Sequence, residues 1–152
     1  MYRCIFLFSF LLLFALGCNP PGRNFPSQFV EGTVTLDGKP VPKAIVTFQP
    51  KTATQESDVA TGSADNNGRF TLTSSNGDPG KGALEGDYIV LVSLLKVTPL
   101  DKPVKVPGTP IMTTTEVKQL LPTIYQDKTK TPLAATVKKG KNKFTFELKS
   151  NP

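Results

Sequence analysis

From Gln28 onward, apolar side chains fall at every second position, in short runs separated by Gly, Pro, Asn and Asp. That period belongs to a strand with one buried face. Val30, Val34 and Leu36 alternate with Glu31, Thr33 and Thr35, and Asp37-Gly38-Lys39-Pro40 then reads as a turn. Ala44, Val46 and Phe48 point one way and Ile45 and Thr47 the other, up to Pro50. Lys51 to Glu56 has no period and reads as a loop. Strand residues resume near Val59 to Ala64. Asp65-Asn66-Asn67-Gly68 supplies a second turn, rich in residues that tolerate positive φ, ahead of Phe70 and Leu72. Asn76 to Gly82 reads as loop, and Gly86-Asp87 opens the longest strand, Tyr88 to Val97. Leu133 to Lys138, a Lys139-Gly140-Lys141-Asn142 turn and Lys143 to Lys149 read as a hairpin, with Phe144, Phe146 and Leu148 inward and Lys143, Thr145, Glu147 and Lys149 outward. About seven short strands with turns between them predict an all-β fold, a single antiparallel Greek-key β-sandwich spanning residues 28–152.

Two stretches break this rhythm. Pro99 to Pro122 holds five prolines and cannot be sheet interior. Thr113 and Glu116 have capping-box spacing ahead of Val117, Leu120 and Leu121, which predicts a short helix. On the Tyr88 strand, Tyr88, Val90 and Val92 form the inward set, yet the other face carries Ile89 and Leu91, too apolar for a face in water. Val117, Leu120, Leu121 and Ile124 are expected to cover it. The alternative is an exposed strip, Ile89 and Leu91 with Tyr125 nearby, that binds a partner.

The second break is at the N-terminus. Arg3 is followed by the apolar run Ile5 to Leu16, with Ser9 its one polar residue, then Gly17 and Cys18. The run is short for a membrane span, which takes about 20 residues, and suits a signal core. This layout is that of a bacterial lipoprotein signal, although Ala15 stands where such signals favour Leu. Residues 1–17 would be removed, Cys18 acylated, and 18–27 left as a polar tether. An ordinary cleaved signal and a short anchor helix are the other readings. Under the first, the domain is exported and held to the cell envelope, periplasmic or outward-facing.

Composition narrows the chemistry. Without the first 17 residues the chain keeps 15 Lys and 2 Arg against 12 acidic residues, a net +5. Cys4 leaves with the signal and Cys18 is used for lipid, so the domain has no disulfide. There is no His and no Trp. That removes His bases, His triads and His metal ligands, and a Trp platform for sugars. No Ser-x-x-Lys occurs, and no carboxylate pair is placed as an acid and base, so catalysis is not expected. Asp65, Asn67 and Gly68 resemble a fragment of a calcium loop but lack its downstream Glu, and a hairpin turn is the reading. No metal, cofactor or nucleic-acid partner is expected, and the domain is expected to be a monomer. Lys138, Lys139, Lys141 and Lys143 bracket one turn, where they either solvate it or meet anionic headgroups.

The run Glu31-Gly32-Thr33-Val34-Thr35-Leu36-Asp37-Gly38-Lys39-Pro40-Val41-Pro42-Lys43-Ala44-Ile45-Val46-Thr47-Phe48 resembles the opening of the carboxypeptidase regulatory-like domain. Ala60-Thr61-Gly62, Asp65-Asn66-Asn67-Gly68-Arg69-Phe70 and Gly86-Asp87-Tyr88-Ile89-Val90 match its further marks in order. Leu121-Pro122-Thr123-Ile124-Tyr125 and Thr131-Pro132-Leu133-Ala134-Ala135-Thr136-Val137 are similar to segments of small planctomycete-type lipoproteins carrying that domain. The resemblance implies a prealbumin-like, transthyretin-like sandwich and a non-catalytic appendage. Hydroxyisourate hydrolases share that general fold but need histidines, which this chain lacks. A structural or protein-interaction role is therefore expected. The alternative is an envelope receptor for a glycan or peptide, using Tyr88, Tyr125 and the Pro-rich 99–122 segment.

Overall fold

The described residues form eleven strand segments. They are β1 (Val30–Leu36), β2 (Lys39–Pro40), β3 (Ile45–Pro50), β4 (Ala60–Ser63), β5 (Arg69–Thr71), β6 (Thr73–Ser74), β7 (Gly86–Ser93), β8 (Leu95–Pro99), β9 (Thr115–Gln119), β10 (Ala134–Val137) and β11 (Asn142–Leu148). The computed structural model describes residues 26–52, 58–75, 82–99 and 115–152. The signal run, Cys18 and the tether up to Phe25 lie outside the described residues, as do residues 100–114 with Thr113.

Two sheets face each other. In the first, β1 is flanked by β11 on one side and by β2 and β5 on the other. In the second, the order is β10-β7-β3-β4-β6. The pairs are antiparallel except one: β1 runs parallel to β11, Val30 opposite Asn142 through to Leu36 opposite Leu148. The chain passes between these sheets four times, from β2 to β3, β4 to β5, β5 to β6 and β10 to β11, and the β5–β6 crossing takes a single residue, Leu72. The result is an all-β sandwich.

Turn residues do what their backbone freedom allows. Asp37 and Gly38 both have positive φ and join β1 to β2 in a two-residue loop. In the second turn, Asp65 Oδ1 accepts from the Asn67 and Arg69 backbone N–H groups, each at 2.8 Å. Its carboxylate thus closes its own turn.

The alternating faces meet as expected. Val30, Val34, Val46, Phe48, Val90, Val92 and Leu148 are fully buried, and Tyr88 and Phe146 join them. Phe48 lies against Tyr88 at 5.6 Å between ring centres, against Phe144 at 5.5 Å and against Phe146 at 6.0 Å. Phe70 stacks on Phe146. Gly32 makes room for this: a Cβ there would strike the Phe144 carbonyl and the Phe70 ring. Every buried apolar side chain among the described residues lies between Val30 and Leu148.

Three expectations are corrected. The Leu133–Lys149 stretch is not a hairpin: β10 pairs with β7 and β11 with β1, in different sheets. Both strands turn small or aromatic residues toward one core, so the glycine turn between them spans the sandwich rather than reversing within a sheet. The Tyr88 strand breaks at Leu94, and β8 leaves the sandwich to pair only with β9. Thr115–Gln119 is that second strand and not a helix; pairing with β8 outweighs the local spacing signal. A 3₁₀ turn, Thr123–Tyr125, follows.

Gly32→Ala is expected to destabilise the domain by about 1–3 kcal/mol through overpacking. Phe48→Ala should cost about 3–5 kcal/mol through the cavity it leaves. Urea denaturation measures both. A Gly32→Ala protein within about 0.5 kcal/mol of wild type would mean that Phe70 does not rest over this glycine.

Candidate interaction surfaces

The predicted apolar strip does not assemble as expected. Ile89 and Leu91 sit on the outer side of β7 and are half-buried. Tyr125 is only 3% exposed and belongs to the core with Leu121. Its hydroxyl accepts from the Lys149 backbone N–H at 2.8 Å, tying the 3₁₀ turn to the end of β11. Tyr125 is therefore not part of an outer face with Ile89 and Leu91. Of the residues expected to cover that face, Leu121 and Ile124 pack onto the core, while Val117 and Leu120 stay exposed. Tyr88 is 2% exposed and donates to the Leu84 carbonyl at 2.9 Å. Burial pushes its hydroxyl pKa up, and the negative charge of nearby Asp58 adds to this. Neither tyrosine presents a ring for stacking on a ligand.

The exposed apolar surface lies elsewhere, on the β8–β9 ribbon. Val97 stands opposite Val117, and Leu95 opposite Gln119. Lys96 opposite Lys118 and Thr98 opposite Glu116 take the other face. Leu95, Val97 and Val117 are 54–57% exposed, and Leu120 beside them 48%. The ribbon is held at its base by two bonds: Leu120 N–H to the Leu94 carbonyl at 2.9 Å, and Leu94 N–H to Gln119 Oε1 at 3.1 Å. Sequence reading assigned these residues to a longer strand and to a helix. Leu95 and Val97 alternate with Lys96 and Thr98, whereas Val117 is the one apolar residue in Thr115–Gln119 and sets no period.

Lys138, Lys139 and Lys141 stand on the loop between the sheets and Lys143 faces out from β11, all exposed. Asn142 shapes the loop: its Oδ1 accepts from the Lys138 N–H at 2.9 Å and its Nδ2 donates to the Lys138 carbonyl at 2.7 Å. Gln28 Oε1 accepts from the Gly140 N–H at 2.7 Å.

An open trough of about 740 Å³ runs over the outer face of the first sheet, lined by Glu31, Thr33, Asp65, Arg69 and Lys143 among others. Its charges alternate in sign, Glu31 lying in register with Lys143 and Thr33 with Arg69. Among the described residues, no three Asp, Glu, Cys or His side chains gather as a metal cluster. Ser74 Oγ donates to Asp58, and both side chains are buried. No helix among the described residues is long and apolar enough to cross a membrane.

Comparison with known proteins finds no match: no family model, no curated protein and no solved structure is similar enough to this chain to place it.

At the far end of β1, Asp37 accepts from the Ser150 N–H at 3.2 Å. Hydrogen bonding from Ser150 holds its carboxyl below the usual value, with Lys149 and Lys39 adding to the effect. A carboxyl whose pKa is depressed on folding stabilises the fold above its unfolded pKa, about 3.9, and loses that contribution as pH falls through the folded value. Asp37→Asn should keep the turn, since Asn tolerates the same φ, but be less stable than wild type at neutral pH. The gap should close below about pH 3–4. Denaturation across a pH series reads this directly, and a gap independent of pH would exclude the carboxylate as its source.

Proposed function

We propose that this chain is a non-catalytic module of the bacterial cell envelope, anchored by lipid on Cys18, that makes a protein contact. The observation that carries the interaction role is the ribbon. It exposes Leu95, Val97 and Val117 along one face and leaves the sandwich to do so. A two-stranded ribbon is marginal on its own, so apolar side chains held out on one favour a second surface against them. The anchor rests on Arg3, the Ile5–Leu16 run and Cys18. The resemblance to carboxypeptidase regulatory-like domains, carried by the Glu31–Phe48 run and the Gly86–Val90 strand, supports a supporting rather than a catalytic part. The receptor reading is not favoured, because Tyr88 and Tyr125 are both taken up in the core.

Two measurements test this. The intact mass of protein taken from its native membrane should begin at Cys18 and include acyl chains; a cleaved mass without them would make the domain a free exported one. Val97→Glu with Val117→Glu should leave folding stability within about 0.5 kcal/mol of wild type, since both side chains are exposed. A photo-crosslinking residue at position 97 should capture a protein in intact cells, and the double Glu change should abolish the crosslink. The same probe at Thr145 capturing the same protein equally well would remove the ribbon from the contact.

A further inference from the structure

The sandwich has two unlike ends, and the chain enters at the basic one. Gln28 exchanges backbone hydrogen bonds with Ala83, at 2.7 and 3.0 Å. Asn142 N–H reaches the Phe29 carbonyl at 2.9 Å. With the Gln28 bond to Gly140, these contacts clamp the loop carrying Lys138, Lys139 and Lys141 to the point where residues 18–27 lead into the domain. Lys51 joins the same end, its N–H bonded to the Asp87 carbonyl at 3.0 Å. Acidic groups are there too, but partly engaged: Glu85 accepts from Gln28 at 3.2 Å, and Asp87 from Thr136 at 2.5 Å. Glu31 lies in register with Lys143. The opposite end carries the Asp37 turn, the Tyr125–Lys149 contact and the ribbon, which leaves β7 at Leu94.

We propose that the entry end is a docking surface for an anionic lipid bilayer, with Lys138, Lys139, Lys141 and Lys143 set against headgroup phosphates. The setting rests on the anchored-module reading above; the surface itself does not require the lipid. Lysine suits this role, being a mobile point charge rather than a fixed fork. Nine residues separate Cys18 from Gln28, and a segment of that length reaches about 33 Å at most. An anchor at Cys18 therefore lies nearest this end of the sandwich.

The test uses the chain from residue 18 onward with Cys18→Ser, so that no lipid is attached, and vesicles of phosphatidylglycerol and phosphatidylcholine or of phosphatidylcholine alone. Co-sedimentation should show binding to the anionic vesicles at low salt, release at high salt and none to the neutral ones. Changing Lys138, Lys139, Lys141 and Lys143 to Ala should weaken binding at least about tenfold. Lys96→Ala with Lys118→Ala, at the far end, should change nothing. Where thermal melting shows that the fourfold variant is unfolded, Lys139→Glu and Lys141→Glu singly give the same reading. Absence of binding at low salt, binding that survives loss of the four lysines, or binding lost with the ribbon pair would each overturn the proposal. The anchor is judged separately by intact mass, so either idea can fall while the other stands.

Discussion

The packing of Phe48 across the sandwich is the contact on which the rest depends. It is the point where the two sheets touch through aromatic rings, with Tyr88 beside it on the second sheet and Phe144 and Phe146 opposite on the first. Phe70 closes the group by stacking on Phe146, and it fits because position 32 has no side chain. Offset and edge-to-face rings add to the area they bury, and the domain has no disulfide to share the burden. Strand β5 must therefore stay against β1 for Phe70 to lie there, and β5 leads directly into β6 on the other sheet. One aromatic cluster thus fixes the spacing of the sheets and the place of the β5–β6 crossing between them.

Much of this architecture was legible because burial on one face imposes a period of two. The inward sets of β1, β3, β7 and β11 are the ones the alternation indicates, and the Asp37-Gly38 and Asp65–Gly68 turns form where positive φ is tolerated. Pairing was less legible. A short glycine turn between two alternating segments looks the same whether the strands pair or face each other across a core, and β10 and β11 do the latter. The β9 segment was misread because Thr113–Glu116 spacing is a local signal, whereas its strand state depends on β8, more than a dozen residues earlier. Tyr125 sits alone among prolines with no repeating neighbours, so nothing in the sequence tied it to Lys149.

The candidate surfaces divide along the same line. The lysines of the inter-sheet loop are adjacent in sequence, so their grouping needed no knowledge of the fold. The ribbon face joins Leu95 and Val97 to Val117, which only pairing can bring together. Its opposite face sets Lys96 directly across from Lys118, a placement that costs stability in an isolated ribbon and leaves positive charge along the projecting arm. The molecule is thus polar in the geometric sense. Chain entry and a lysine cluster share one end, and the apolar arm is at the other, with the aromatic core as a rigid spacer between them.

The parallel pairing of β1 with β11 has a consequence for how the protein is made. The first strand of the domain cannot complete its hydrogen bonds until the last one exists, and Phe144, Phe146 and Leu148 arrive with that last strand. A nascent chain stopped anywhere before Asn142 lacks two of the five rings of the aromatic cluster and one border of the first sheet. The sandwich is therefore one cooperative unit, and its first sheet closes only after β11 has been made.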